Sequence, residues 1–127
     1  MAKTSPTQRT LKWLKQQGYE ACIVERYIPR AQKRIDAFGF GDILAMWTGM
    51  VEKLVLVQTT SGSHHADHKT KILGETRARL WLQNGGHILL ISWRKLRVKD
   101  TPKLRRWEPR VEWITEEMFD GEEDETF

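Results

Sequence analysis

A few polar side chains stand where this sequence otherwise places apolar ones, and their types suit metal-assisted chemistry. Asp36 and Asp42 bracket Phe38 and Phe40 at even spacing, so an extended segment would turn all four to one side. Asp42 directly precedes the apolar residues Ile43, Leu44 and Ala45, at the entry to a buried strand. In LVLVQTT (54–60), Leu54, Leu56, Gln58 and Thr60 share one face, while Val55, Val57 and Thr59 share the other. Gln58 and Thr60 thus end an apolar strand, where unpaired polar groups cost free energy unless they bind something. An aspartate facing such a pair across a hairpin is an arrangement that a metal-dependent phosphodiesterase uses. The carboxylate and a second oxygen hold a hard cation, Mg²⁺ or Mn²⁺, which polarises the phosphate and activates water. A nearby lysine then orients the water or stabilises the developing charge.

The elements that must position these residues can be read from caps and periodicity. After a lead expected to be disordered (1–5), Ser5 caps and Pro6 opens a helix over 6–17, which Gly18 stops. Residues 19–24 read as a strand, and 26–35 as a basic, irregular segment broken by Pro29. Residues 38–47 and 52–60 form a hairpin around Thr48-Gly49-Met50. Ser61-Gly62-Ser63 leads into one long helix over 64–83, with Ile72, Leu73, Thr76 and Leu80 as its buried stripe, and Asn84-Gly85-Gly86 ends it. HILLISW (87–93) reads as a strand buried on both faces, parallel to 52–60 through a βαβ crossover. A basic loop over 94–106 precedes an edge strand over 107–114, where Pro109 is tolerated, and Thr115 caps a helical turn over 116–119. The expectation is one α/β domain over 1–119, a mixed sheet flanked by helices in the order α-β-β-β-α-β-β, and an acidic disordered tail over 120–127.

That order, with FGFGDILA and LVLVQTTS at its centre, resembles the PD-(D/E)XK nuclease superfamily of restriction endonucleases and Holliday-junction resolvases over residues 7–93. The strings VERYIP, DAFGFGDILA, VQTTSGS and ISWRK also look like a group of small phage and prophage proteins. The resemblance implies a restriction-endonuclease-like fold and a motif in degenerate form. Asp42 falls at the metal-binding aspartate, preceded by Gly41 instead of proline. Gln58 falls at the second acidic position, and Thr60 where the family's lysine belongs. Gln8 lies near the place where resolvases often carry a glutamate. Glu25 and Asp36 are the compensating acidic ligands this implies, and Lys69 or Lys71 the replacement lysine. The site so implied has Asp42, Gln58, Asp36 and Glu25 on the metal, with Lys71 or Lys69 assisting the water.

Charge points the same way. The chain carries Lys+Arg 21 and Asp+Glu 17, a net charge of +4. Five of the acidic residues lie in 120–127, so the remainder holds 21 basic against 12 acidic residues, or +9. Such a body favours polyanionic partners. Arg30, Lys33 and Arg34 in one segment, and Arg94, Lys95, Arg97, Arg105 and Arg106 in another, are the expected DNA contacts, with Trp107 and Trp113 as stacking partners.

Simpler readings exist for several of these residues. Asp36 pairs with Lys33 or Arg34, Glu25 is a surface carboxylate, and Gln58 is a satisfied core amide. His64, His65 and His68 open a solvated helix; no HExxH pattern is present and no remote ligand set completes a zinc site. Cys22, the single cysteine, is a buried hydrophobe that excludes a disulfide framework and suits a reducing cytoplasm. No segment approaches the roughly 20 apolar residues of a membrane span. The resulting expectation is a cytoplasmic, Mg²⁺- or Mn²⁺-dependent DNA endonuclease or resolvase-like phosphodiesterase. A homodimer fits a two-strand cut by a one-domain nuclease. The alternatives are a catalytically lapsed nuclease fold that binds DNA or a phage protein, and a structural or inhibitory protein.

Overall fold

The computed structural model describes residues 4–49, 51, 53–98 and 101–119, with backbone alone at 98 and 101–104. The expected acidic tail therefore lies outside the described residues. A five-stranded mixed sheet forms the centre. Its strands are β1 (Tyr19–Ile23), β4 (Ile43–Trp47), β5 (Leu54–Ser61), β6 (His87–Val98) and β7 (Thr101–Ile114), side by side in that order. The β1–β4, β4–β5 and β6–β7 pairs are antiparallel, and β5–β6 is parallel. A small hairpin of β2 (Arg26–Ile28) and β3 (Lys33–Ile35) stands apart from this sheet.

Both faces of the sheet are covered, which is why residues 88–91 of β6 form an unbroken apolar run. Helix α1 (Pro6–Gln16) lies on one face, its N-terminus capped by Ser5 Oγ on the Gln8 amide at 3.2 Å. Its Leu14 packs against Ile43, Ala45, Val55, Val57, Leu89, Ile91 and Trp93. Helices α2 (His65–Leu73) and α3 (Thr76–Gln83) cover the other face, where Ile72 and Ala78 meet Phe40, Leu56, Ile88, Leu90 and Ile114. No helix among the described residues is long and apolar enough to cross a membrane.

Several sequence expectations change. The segment 26–35 is an ordered hairpin, because the Pro29 turn reverses the chain and lets Arg26 pair with Ile35. The strand expected over 38–47 begins only at Ile43. Before it, Phe38 (φ +52°) and Gly39 (φ +81°) turn the chain left-handed, so Phe38 is half exposed while Phe40 is fully buried. The four evenly spaced residues therefore do not share a face. The single helix over 64–83 is two helices broken at Gly74, and Glu75 restarts the second by accepting the Arg77 amide at 3.2 Å. In the segment expected as a basic loop over 94–106, residues 94–98 continue β6 and 101–106 belong to β7. Cys22 is exposed, since it lies on edge strand β1 and faces away from α1. His65 is buried instead of solvated.

A line of buried hydroxyls fixes α1 to the sheet. The Trp93 indole donates to Thr10 Oγ1 at 2.8 Å, and Thr10 Oγ1 lies 2.7 Å from Thr59 Oγ1. Thr59 Oγ1 in turn donates to the Pro6 carbonyl at 3.2 Å. Each hydroxyl has one proton, so the direction is set: Trp93 to Thr10 to Thr59 to Pro6. Replacing Thr10 with valine keeps its shape but strands a buried indole N–H. We expect Thr10→Val to lose about 1–3 kcal/mol in urea denaturation, with Trp93→Phe restoring part of that loss.

Candidate metal centre

Two chain reversals bring three carboxylates to one point. The β2–β3 hairpin closes at the Arg26–Ile35 pair, so the flanking Glu25 and Asp36 meet across its base. A bridge between Ala37 and Gly41 closes the next loop and sets Asp36 against Asp42. The ends of β1 and β4 are tied as well, because the Val24 amide donates to the Asp42 carbonyl at 2.9 Å. As a result Glu25, Asp36 and Asp42 each present a ligand atom within 4.8 Å of the others. At position 41 a Cβ would come within 2.8 Å of Leu56 Cδ2 and 3.4 Å of the Ala37 carbonyl, so a larger residue would displace the buried Leu56 side chain.

Strand β5 supplies the floor. Asp42 Oδ2 accepts the Thr59 amide and the Gln58 Nε2 donor, each at 2.8 Å. Gln58 Oε1 is left buried without a partner. Helix α2 supplies the wall, with Lys71 Nζ on Asp36 Oδ2 at 2.8 Å and the half-buried His68 beside it. Arg34 approaches Glu25 at 3.7 Å. These groups line one open cleft of about 450 Å³.

The electrostatics follow from this crowding. Burial pushes the Asp42 carboxyl up to about 9; the hydrogen bond and charge of Asp36 and the charge of Glu25 add to the rise, against the lowering effect of the Thr59 amide. Burial likewise lowers His68, and Lys71 lowers it further. Without a cation the cluster keeps a proton. A hard cation has the opposite effect: three carboxylates are an all-oxygen donor set of the kind Mg²⁺ or Mn²⁺ takes. The residues present fit that group.

Among the expected site residues, Glu25, Asp36, Asp42, Gln58 and Lys71 therefore come together. Lys69 does not join them. It shares a helical stripe with His65 and Ile72, and its ammonium binds Glu112 on β7 at 2.7 Å. Gln8 is exposed on α1 and is not among the residues lining this cleft. Thr60 is buried in the cleft wall. His68, expected on a solvated helix start, instead lines the cleft, and the Thr59 amide has no side-chain signal in the sequence. The spacing of His68 and Lys71 would have marked one side of the helix, as His65, Lys69 and Ile72 mark the other. His65 is held between Ser92 Oγ at 2.6 Å and Glu112 Oε1 at 2.9 Å. Among the expected DNA contacts, Arg30, Lys33 and Arg34 are exposed on the small hairpin, and Arg94, Lys95, Arg97, Arg105 and Arg106 on the outer parts of β6 and β7. Compared with known protein families, curated proteins and solved structures, the chain matches none.

The raised Asp42 value has a measurable sign. The folded group, at about 9, holds a proton that the unfolded chain loses near 3.8, so metal-free stability falls as pH rises between those values. Asp42→Asn removes that fall, which is at most about 1.4 kcal/mol per pH unit. Denaturation in EDTA at several pH values should show the variant gaining on the wild type toward alkaline pH. Mg²⁺ or Mn²⁺ binding at neutral pH should release about one proton, read by calorimetry in buffers of different ionisation enthalpy.

Proposed function

We propose that the chain is a metal-dependent DNA endonuclease or resolvase-like phosphodiesterase, with a restriction-endonuclease-like fold of phage type. The observation that carries this reading is the meeting of Glu25, Asp36 and Asp42 in a cleft that Gln58 also lines, with Lys71 bonded to Asp36. The order α1, β1, β4, β5, α2, β6 supports the fold assignment, with β2–β3 as an insertion and β7 as an addition. The basic hairpins on either side support a polyanionic substrate.

In this reading Asp42, Asp36, Glu25 and Gln58 would hold Mg²⁺ or Mn²⁺. When bound, the cation supplies Lewis-acid polarisation of a phosphoryl group and offsets the carboxylate charge. Thr59 and Gln58 fix the Asp42 carboxylate in place through two hydrogen bonds. Lys71 takes the part of the motif lysine from α2 instead of from β5. Its ammonium, anchored on Asp36, faces the cleft where a water would attack phosphorus in line with the leaving oxygen, and it stabilises the charge that develops. His68 sits beside it, driven toward the neutral form by burial and by Lys71. A second reading, a lapsed nuclease fold that only binds DNA, is favoured by the same Lys71–Asp36 ion pair, which holds the ammonium on a carboxylate.

Plasmid nicking with Mg²⁺ or Mn²⁺ separates the two. We expect nicking by the wild type, none by Asp42→Ala, and a loss of about 10²–10³-fold in Lys71→Met, while Lys69→Met retains activity. Wild-type protein that binds DNA but does not nick it with either metal would establish the second reading instead.

A further inference from the structure

The outer halves of β6 and β7 form a surface of their own. The β5–β6 ladder ends at the Ser61–Trp93 pair, so residues 94–98 run beyond the end of β5 and, among the described residues, pair with β7 as their strand neighbour. At about 3.3 Å per residue, this two-stranded ribbon extends some 16 Å past the sheet. Its root adjoins the metal centre. Ser61 lines the carboxylate cleft, and the chain turns at Gly62 against Arg94, where a Cβ would lie 3.1 Å from the arginine's own.

The register sorts the ribbon into two unlike faces. Lys95 pairs with Trp107 and Arg97 with Arg105, and these four residues share one side. Leu96 pairs with Arg106 and Arg94 with Glu108 on the other. On that second face Arg106 is bonded to Glu108 at 2.6 Å, which cancels part of its charge. On the first face no acidic side chain occurs among the described residues. There the Trp107 ring lies under the Arg9 guanidinium of α1 at 3.5 Å and near Lys95 Nζ at 5.3 Å, and Arg97 and Arg105 stand exposed beyond it. Trp113 is on the same side of β7 but outside the ribbon. It lies at the far end of β7 beside His87 and Lys53.

We propose that this ribbon is a groove-binding element whose Lys95, Arg97, Arg105 and Trp107 face enters the major groove of B-form duplex DNA, laying the duplex across the carboxylate cleft. The choice of ligand rests on the phosphodiesterase reading and on shape. A two-stranded ribbon fits the roughly 12 Å width of the B-form major groove. The major groove of A-form RNA is too deep and narrow for it, and a single strand offers no groove at all. Arg97 and Arg105 have the length and donor fork to reach guanine edges or phosphates there. The cation–π contact to Arg9 holds the root of the ribbon on α1, so its angle to the cleft is fixed.

The test is equilibrium binding by the full chain in EDTA, where cleavage does not intervene. The probes are a labelled DNA duplex, the same duplex with its major groove filled by glucosylated hydroxymethylcytosine, the matching single strand, and an A-form RNA duplex. We expect the plain DNA duplex to bind about tenfold or more tighter than each of the others. The double variant Arg97→Ala/Arg105→Ala should bind that duplex about tenfold more weakly. If both arginines reach phosphates, its log–log salt slope should be shallower by about 1.8. Wild-type affinity in that variant would overturn the proposal, as would undiminished affinity for the glucosylated duplex or the RNA duplex. The nuclease reading fails by a separate result. A chain that binds the plain duplex through the ribbon, yet never nicks it with Mg²⁺ or Mn²⁺, keeps the ribbon and loses the enzyme.

Discussion

Three carboxylates within 4.8 Å, with Lys71 on Asp36 and Arg34 near Glu25, are the constraint on which the site's arrangement turns. Like charges so close in a partly buried cleft cannot all ionise unless a cation joins them. The backbone nevertheless drives them together twice over, by closing the β2–β3 hairpin between Glu25 and Asp36 and the Ala37–Gly41 loop between Asp36 and Asp42. Gly41 admits the close approach to Leu56. Gly39, at φ +81°, lets the loop turn against Glu75, whose Oε2 lies 2.5 Å from where a Cβ would be. Local geometry thus works against electrostatics, and burial together with this crowding raises the Asp42 carboxyl.

Thr59 ties this site to the core. Its amide holds Asp42, while its hydroxyl ends the hydrogen-bonded line that runs from Trp93 through Thr10 to Pro6. The β5 residue that fixes the carboxylate therefore also fixes helix α1, and neither can shift without breaking buried hydrogen bonds. A second polar line, Ser92–His65–Glu112–Lys69, does similar work for α2 against β6 and β7. It is an interior brace: Ser92 is fully buried, so its hydroxyl offers no nucleophile to solvent. With both helices secured, Lys71 and His68 face the cleft at a fixed position on α2.

The sheet core was legible because its signals are local. Alternation in β5, the apolar run of β6 and the glycines after α3 mark elements whose periodicity and punctuation survive in any context. The parallel β5–β6 pair follows from the length of the crossover. The ribbon was not legible, since a strand with charge on both faces carries no apolar alternation and reads as a loop. The β2–β3 hairpin is hidden for the same reason, and by Pro29. The break between α2 and α3 depends on Glu75 capping the second helix, a weaker signal than the apolar stripe running past it. At the site, Asp42 and Gln58 could be found as polar residues at the end of an apolar strand. Lys69 and Lys71 could not be separated by residue type. The buried stripe of His65, Lys69 and Ile72 separates them, and His65 shows its burial only once Ser92 and Glu112 are opposite it.

The arrangement of charge also bears on whether the site works or has lapsed. A module that only gripped DNA would gain from cations throughout its binding face, and an acidic cluster there would repel the phosphates that the neighbouring arginines attract. The two are compatible when a divalent cation occupies the cluster, because the same centre then attracts phosphate. In the proposed reading, Thr60 on the strand supplies no charge to the site. An ammonium acts through its position and charge, and in that reading Lys71 would bring both from the adjacent helix, where it is bonded to Asp36. In the proposed reading the basic ribbon and the carboxylates have a single ligand, a phosphodiester backbone held along its length by arginine and at one phosphate by a cation.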